Sequence, residues 1–266
     1  MTDQPFSVTQ LATFRKCPKR FWYRYVRRQE GGFKTVEAVL GDVVHQSLAW
    51  LYRRPRQEPR VAKTGLYSYF RETWEAEVSP GVRVIRPGDS LEHERARGIH
   101  MLDQYFDSIY LKDRKQTLEI EYEFQLLLKG KYRLVGVIDR LAADGDGDIF
   151  VIDYKTSRRA ARGLDEDTDL QMDAYGLWAL LKREVGCVYL RVELLQDATK
   201  YTINLKRREG NAVVNELVAR IEEVRKETVF AAKPSPLCGW CEYREICPDR
   251  WRGSKRPKQQ RWPNGG

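Results

Sequence analysis

At 266 residues, 42% of them hydrophobic, the chain can bury the core of one large domain with appendages. No apolar run reaches the ~18 residues of a membrane span, and MTDQPFSVTQ lacks the apolar core of a secretory signal, so a cytoplasmic protein is expected. The net charge of +9 is concentrated in two acid-free clusters, which points to a polyanionic partner, nucleic acid above all.

Residues 8–28 carry the first helical pattern, with Phe14, Phe21, Trp22 and Tyr25 at three- and four-residue spacings. Between them lies the first basic cluster: Arg15, Lys16, Lys19, Arg20, Arg24, Arg27 and Arg28. A second helix is predicted over 37–53, a polar loop over 54–62, and further helices over 64–78 and 90–112. The pattern then turns to strict alternation. Residues 117–128, 131–143 and 148–157 read as three strands, the last two joined through DGDG, a hairpin signal. A helix over 168–184, strands over 187–195 and 200–205, and a helix over 211–229 follow. Three cysteines and the second basic cluster close the chain: Arg250, Arg252, Lys255, Arg256, Lys258 and Arg261. That cluster reads either as part of a nucleic-acid surface or as a solvated tail, disordered over 253–266.

The stretch VIDYKTS, 151–157, holds the chemistry. Alternation puts Asp153 and Lys155 on one face of a strand and Tyr154 on the other. If 145–147 form the hairpin loop, Asp139 stands opposite Asp153, with Cβ atoms ~4.5–5.5 Å apart. A two-residue loop pairs Asp139 with Ile152 instead. Two carboxylates so close repel unless positive charge lies between them. Lys155 supplies part of it, and Mg2+ or Mn2+ would supply the rest. An ordinary cross-strand ion pair accounts for the same residues without a metal.

GVIDRLAADGDGDIFVIDYKTS resembles the core of the PD-(D/E)XK nuclease superfamily, in its RecB-like branch. The resemblance implies an α/β (α+β) fold, a restriction-endonuclease-like core with a mixed central sheet flanked by helices. It makes Asp139 and Asp153 metal-binding acids and Lys155 the catalytic lysine, with the Tyr154 carbonyl completing the metal site. Ile138 stands where the superfamily's proline would be. Gly41 to His45 (GDVVH) is similar to the branch's G-x-x-x-H, which makes His45 a further Mg2+ or Mn2+ ligand; taken alone, it reads as a core histidine. Gln171 and Tyr175 match Q-x-x-x-Y, one face of a helix, used in the family to hold DNA. Glu121 resembles an acid often found on the first strand, with no role assigned.

Five cysteines, at 17, 187, 238, 241 and 247, are odd in number and the expected compartment is reducing, so no disulfide framework is expected. Cys238, Cys241 and Cys247 need a fourth ligand, and Cys17 is the candidate. Four thiolates suit zinc or a [4Fe–4S] cluster. SVTQLATFRKCPKRFWYRYV and LCGWCEYREICP resemble the split cysteine set of iron–sulfur RecB-like nucleases, AddB-type and CRISPR-adaptation nucleases among them, which favours the cluster. Such a cluster would join the N- and C-terminal segments and gather basic residues, Arg15, Lys19 and Arg20 included, at a DNA entry. Cys187 reads as a small core residue.

DGDGD is rejected as a calcium loop because its twelfth position is Lys155, not glutamate. No G-x-x-x-x-G-K-[ST] occurs, so no nucleotide-driven motor is expected. The expected organisation is a basic segment over 1–36, a nuclease core over 37–230 with an insertion near 54–116, a cysteine segment over 231–252, and the tail. The expected activity is metal-dependent hydrolysis of DNA, exonucleolytic on single strands or frayed duplex ends, in repair, recombination, CRISPR or phage DNA processing. A helicase or CRISPR adaptation complex is the candidate partner. The alternative is a catalytically silent DNA-binding module with an iron–sulfur or zinc site.

Overall fold

The computed structural model describes residues 4–54, 59–157, 165–182, 187–204 and 210–252; the expected tail over 253–266 lies outside them. Two long strands, β4 (Gln116–Leu128) and β5 (Tyr132–Ala143), pair antiparallel along their whole length. β6 (Ile149–Lys155) turns back on β5 from Ala143↔Ile149 to Arg140↔Ile152. This is the register that a 145–147 loop gives. The loop closes with Asp144 N–H donating to the Asp148 carbonyl, and Gly147 takes φ +82°, where a side chain would be strained.

The crossover helix α6 (Glu166–Lys182) leads to β7 (Val188–Leu194), which pairs parallel with β6. β8 (Thr199–Asn204) adds an antiparallel edge to β7. The sheet is therefore mixed, as expected. The two-residue strand β1 (Phe6–Ser7) pairs parallel with Leu134 and Val135 of β5. It is too short for alternation to have signalled it.

Helices cover both faces. α1 (Val8–Lys16), α6 and α7 (Gly210–Lys226) pack over a cluster that includes Leu134, Ile138, Val151, Leu190 and Val192. α3 (Val36–Tyr52), α4 (Pro59–Glu77) and α5 (Leu91–Ser108) pack over Ala142, Phe150, Ile152 and Tyr154 on the other face. The 54–116 segment thus supplies a large share of one core, through Leu66, Phe70, Met101 and Tyr105 among others. No helix among the described residues is long and apolar enough to cross a membrane.

The helical run predicted over 8–28 is broken. Cys17 is extended, at φ −162°, because the residue before Pro18 is pushed from the helical region. A short α2 (Pro18–Phe21) follows, then a π-helical turn over Trp22–Val26. α4 starts at Pro59, five residues before the predicted start at 64, since proline fits the first helical position. A pair of two-residue strands, β2 (Lys34–Thr35) and β3 (Val82–Arg83), was not foreseen. Trp74 and Trp178 are buried, whereas Cys187, expected as a small core residue, is only partly so.

One buried ion pair anchors β5. The Arg140 side chain is 1% exposed, lies 3.7 Å from the Tyr52 ring centre and donates to Asp113 at 2.7 Å. Removing one partner of such a pair leaves an uncompensated buried charge, worth about 3–5 kcal/mol. Asp113→Ala should lower unfolding stability by that amount in a urea titration. A loss within the roughly 1 kcal/mol of an exposed pair would contradict the assignment.

Candidate metal centre

β4 occupies one edge of β5, so β1 and β6 share the other. Between Val135, the last residue paired with β1, and Arg140, the first paired with β6, that edge lies open. Asp139 stands at the end of the gap. Its Oδ2 accepts the Tyr154 N–H at 2.7 Å, replacing the carbonyl that a continued ladder would offer. Ile138 and Leu141, three residues apart, both pack on the α6 side, so the two-residue alternation slips at Asp139. This slip turns Asp139 into the fork beside Asp153. The two acids and Lys155 line one cleft of about 760 Å3, together with His45, Gln171 and Tyr175.

α3 brings His45 to the fork, with Nδ1 3.3 Å from Asp139 Oδ1. Glu121, on β4, lies between Ile120↔Arg140 and Tyr122↔Ile138, hence across from Asp139. Its φ of +52° is a left-handed conformation inside a strand, the kind of strain held at functional sites. His45, Glu121 and Asp139 each offer a ligand atom within 4.8 Å of the others. Sequence reading gave Glu121 no role. It alternates with Glu119 and Glu123, and nothing in composition marks the one whose backbone is reversed.

The charges are mutually dependent. Burial lifts the Asp153 carboxyl to about 6, opposed by Lys155 and reinforced by Asp139. Burial, with Asp139 next, also raises Glu121. Burial disfavours a charged His45, but Asp139, with Asp153 and Glu121 behind it, carries the ring up to about 9. Without a metal the histidine therefore holds its proton at neutral pH and serves as the counter-charge. The contribution of this proton to folding is complete below the ordinary value of 6.5 and is lost as pH rises through about 9.

A divalent ion must displace that proton. Mn2+ affinity, measured calorimetrically, should therefore rise with pH from 6.5 towards 9, with proton release on binding. His45→Gln should flatten the rise in this interval. A pH-independent affinity in the parent protein would remove His45 from the ligand set.

Lys155 bridges two partners. Its Nζ lies 2.9 Å from Asp153 Oδ2, in a poorly aligned ion pair that leaves this buried oxygen without a proper hydrogen-bond donor. It also donates to Gln171 Oε1 at 2.9 Å, and Gln171 Nε2 donates to the Tyr175 hydroxyl at 2.6 Å. A second cleft, of about 650 Å3, opens on the other side of His45 and Glu121 and is lined by Glu37, Asp42, Arg53 and Tyr69.

Cys17, Cys238, Cys241 and Cys247 line one small pocket, ringed by Lys19, Arg20, Lys233, Arg244 and Arg250. The ends of the chain are clamped there. Arg20 pairs with Glu242 at 2.8 Å, Tyr23 stacks on Tyr243, and Gly32 N–H donates to the Glu242 carbonyl. Burial pushes the Cys241 thiol up to about 11 and raises Cys247, so without a metal both are held as protonated thiols and are poor nucleophiles.

The basic residues proposed for DNA are partly engaged within the chain. Arg15 pairs with Glu166 and Asp167, Arg20 with Glu242, and Lys19 Nζ lies 5.2 Å from the Trp22 ring centre. Trp240 donates to Glu37 on α3 at 3.2 Å, so its indole packs against the fold, while Trp251 is exposed.

The profile of the PD-(D/E)XK nuclease superfamily matches residues 5–248. Among solved structures, one described as the crystal structure of SSO0001 aligns over 93% of this chain and 87% of that one, at 16% identity and a TM-score of 0.42. No curated protein matches the chain.

Proposed function

The chain belongs to the PD-(D/E)XK nuclease superfamily, and we propose that it is a DNA nuclease dependent on Mg2+ or Mn2+, acting on ends of single-stranded or frayed DNA. One observation carries this reading: Asp139, Asp153, Lys155 and His45 open into one cleft where β6 leaves β5. The donors fit a hard divalent cation. Oxygen ligands dominate, a buried Asp153 oxygen lacks a proper donor, and Asp139 and Asp153 repel without a cation. Asp139, Asp153, His45 and Glu121 would hold it, with the Tyr154 carbonyl. Once bound, the ion would polarise a phosphoryl oxygen and acidify a water.

Lys155 acts beside it. Its ammonium donates to Gln171 and lies beside Asp153, which leaves an N–H for the attacking water or a phosphate oxygen. Hydrolysis would leave a 5′-phosphate. The four cysteines would hold a [4Fe–4S] cluster. Four thiol donors in one pocket suit such a cluster, with zinc as the alternative. The ring of cations offsets thiolate charge. A helicase or CRISPR adaptation complex remains the partner this reading favours.

End-labelled single strands incubated with Mn2+ and with EDTA test the activity. Cutting with Mn2+ that EDTA stops supports the nuclease. DNA binding without cutting under any divalent metal would make the protein a silent binding module.

A further inference from the structure

Gln171 and Tyr175 sit on α6, one turn apart, over the lysine strand. Hydrogen-bond chemistry fixes the direction of the chain they form. An ammonium only donates, so the Gln171 oxygen must face Lys155. Its amide nitrogen then faces Tyr175 and donates, so the hydroxyl there accepts. Tyr175 is 4% exposed, and its ring edge packs on Phe124 with centres 5.5 Å apart. The hydroxyl is therefore held by ring packing, the amide by the hydroxyl, and the ammonium by the amide.

Gly136 makes the seat for this ring pair. A Cβ there would fall 2.6 Å from Phe124 Cε1 and 3.2 Å from Tyr175 Cε1. Both rings belong to the packed cluster under α6 and would have to shift. No unusual φ at Gly136 calls for glycine. The requirement comes from the close approach of Phe124 and Tyr175.

We propose that Gln171 and Tyr175 are positioning residues for Lys155, and that Gly136 is required to seat them, rather than the pair serving chiefly to grip DNA. The inference rests on the nuclease reading for its kinetic consequence only. Tyr175→Phe keeps the ring and removes the acceptor of the Gln171 amide. It should lower kcat about tenfold, and Gln171→Leu about 100-fold, in line with a displaced catalytic group. Neither should change Kd for a single strand measured with Ca2+. Gln171→Glu keeps an oxygen facing the ammonium and should recover most of kcat, although a carboxylate would repel phosphate. Gly136→Ala should resemble Tyr175→Phe if it folds.

The second readout needs no turnover. In metal-free protein labelled with 13C-lysine, the two Lys155 ε protons, assigned by their loss in Lys155→Arg, should be inequivalent. They should collapse to one averaged signal in Gln171→Leu and stay apart in Gln171→Glu. A large rise in Kd with unchanged kcat in Gln171→Leu and Tyr175→Phe would overturn the proposal, as would averaged ε protons in the parent. Ordered ε protons in a protein that never cuts would support the positioning and sink the nuclease reading instead.

Discussion

Asp153→Asn is expected to abolish Mn2+-dependent cutting and, at the same time, to stabilise the metal-free protein at neutral pH. Asp153 is 2% exposed. Its burial raises the carboxyl from 3.8 to about 6, against the pull of Lys155 and with the push of Asp139. Between those values the folded state binds the proton more tightly than the unfolded state. Holding the ionised form in the fold therefore costs up to about 3 kcal/mol, a penalty absent below about pH 4 and complete above about pH 6. The amide removes the charge and keeps the shape. Urea midpoints should rise at pH 7 and hardly move at pH 4. A comparable loss of stability at pH 7 would mean that Asp153 is held chiefly as a partner for Lys155. Retained cutting would remove it from the active site. Such a trade, stability yielded for a charge that Lys155 and His45 relieve only in part, is what a functional carboxylate looks like.

The second large effect concerns the ends of the chain. Cys17 and Cys241 meet in one pocket across more than 220 residues of intervening sequence. A cluster bonded to both would restrict the unfolded chain as a cross-link does, worth about 5 kcal/mol for so long a loop. Cys241→Ala should give poorly soluble protein without visible absorption, whereas anaerobically purified parent should be brown and contain iron and sulfide. A colourless parent containing zinc would assign the pocket to that metal. A well-folded and fully active Cys241→Ala variant would end the idea of a staple. The Trp240 contact to Glu37 makes the consequence reach α3, the helix that carries His45.

Much of the site was legible because strand periodicity and hairpin length are one-dimensional signals. Asp153 and Lys155 share a face because they are two apart. The DGDG turn narrowed the register to two choices, and the structure takes the one set by a 145–147 loop. What remained hidden depends on departures from regularity. The alternation slip that turns Asp139 into the fork is a backbone event between Ile138 and Leu141, without a residue type that announces it. The reversed backbone of Glu121 is likewise silent among three alternating glutamates. β1 pairs through two residues only, and the break at Cys17 follows from Pro18, a signal that the basic and aromatic periodicity of 8–28 masks. The ion pairs of Arg15 and Arg20 depend on where α6 and the cysteine segment fold back, which no local pattern encodes.

The account turns on whether the carboxylates at the β5–β6 fork share a divalent cation, and diffraction from crystals soaked in Mn2+, with anomalous differences collected above the manganese edge, tests this most directly. A strong peak bounded by Asp139, Asp153 and His45, lost in Asp139→Ala, is the predicted result. Manganese bound elsewhere, with the fork holding Lys155 and water alone, would contradict it.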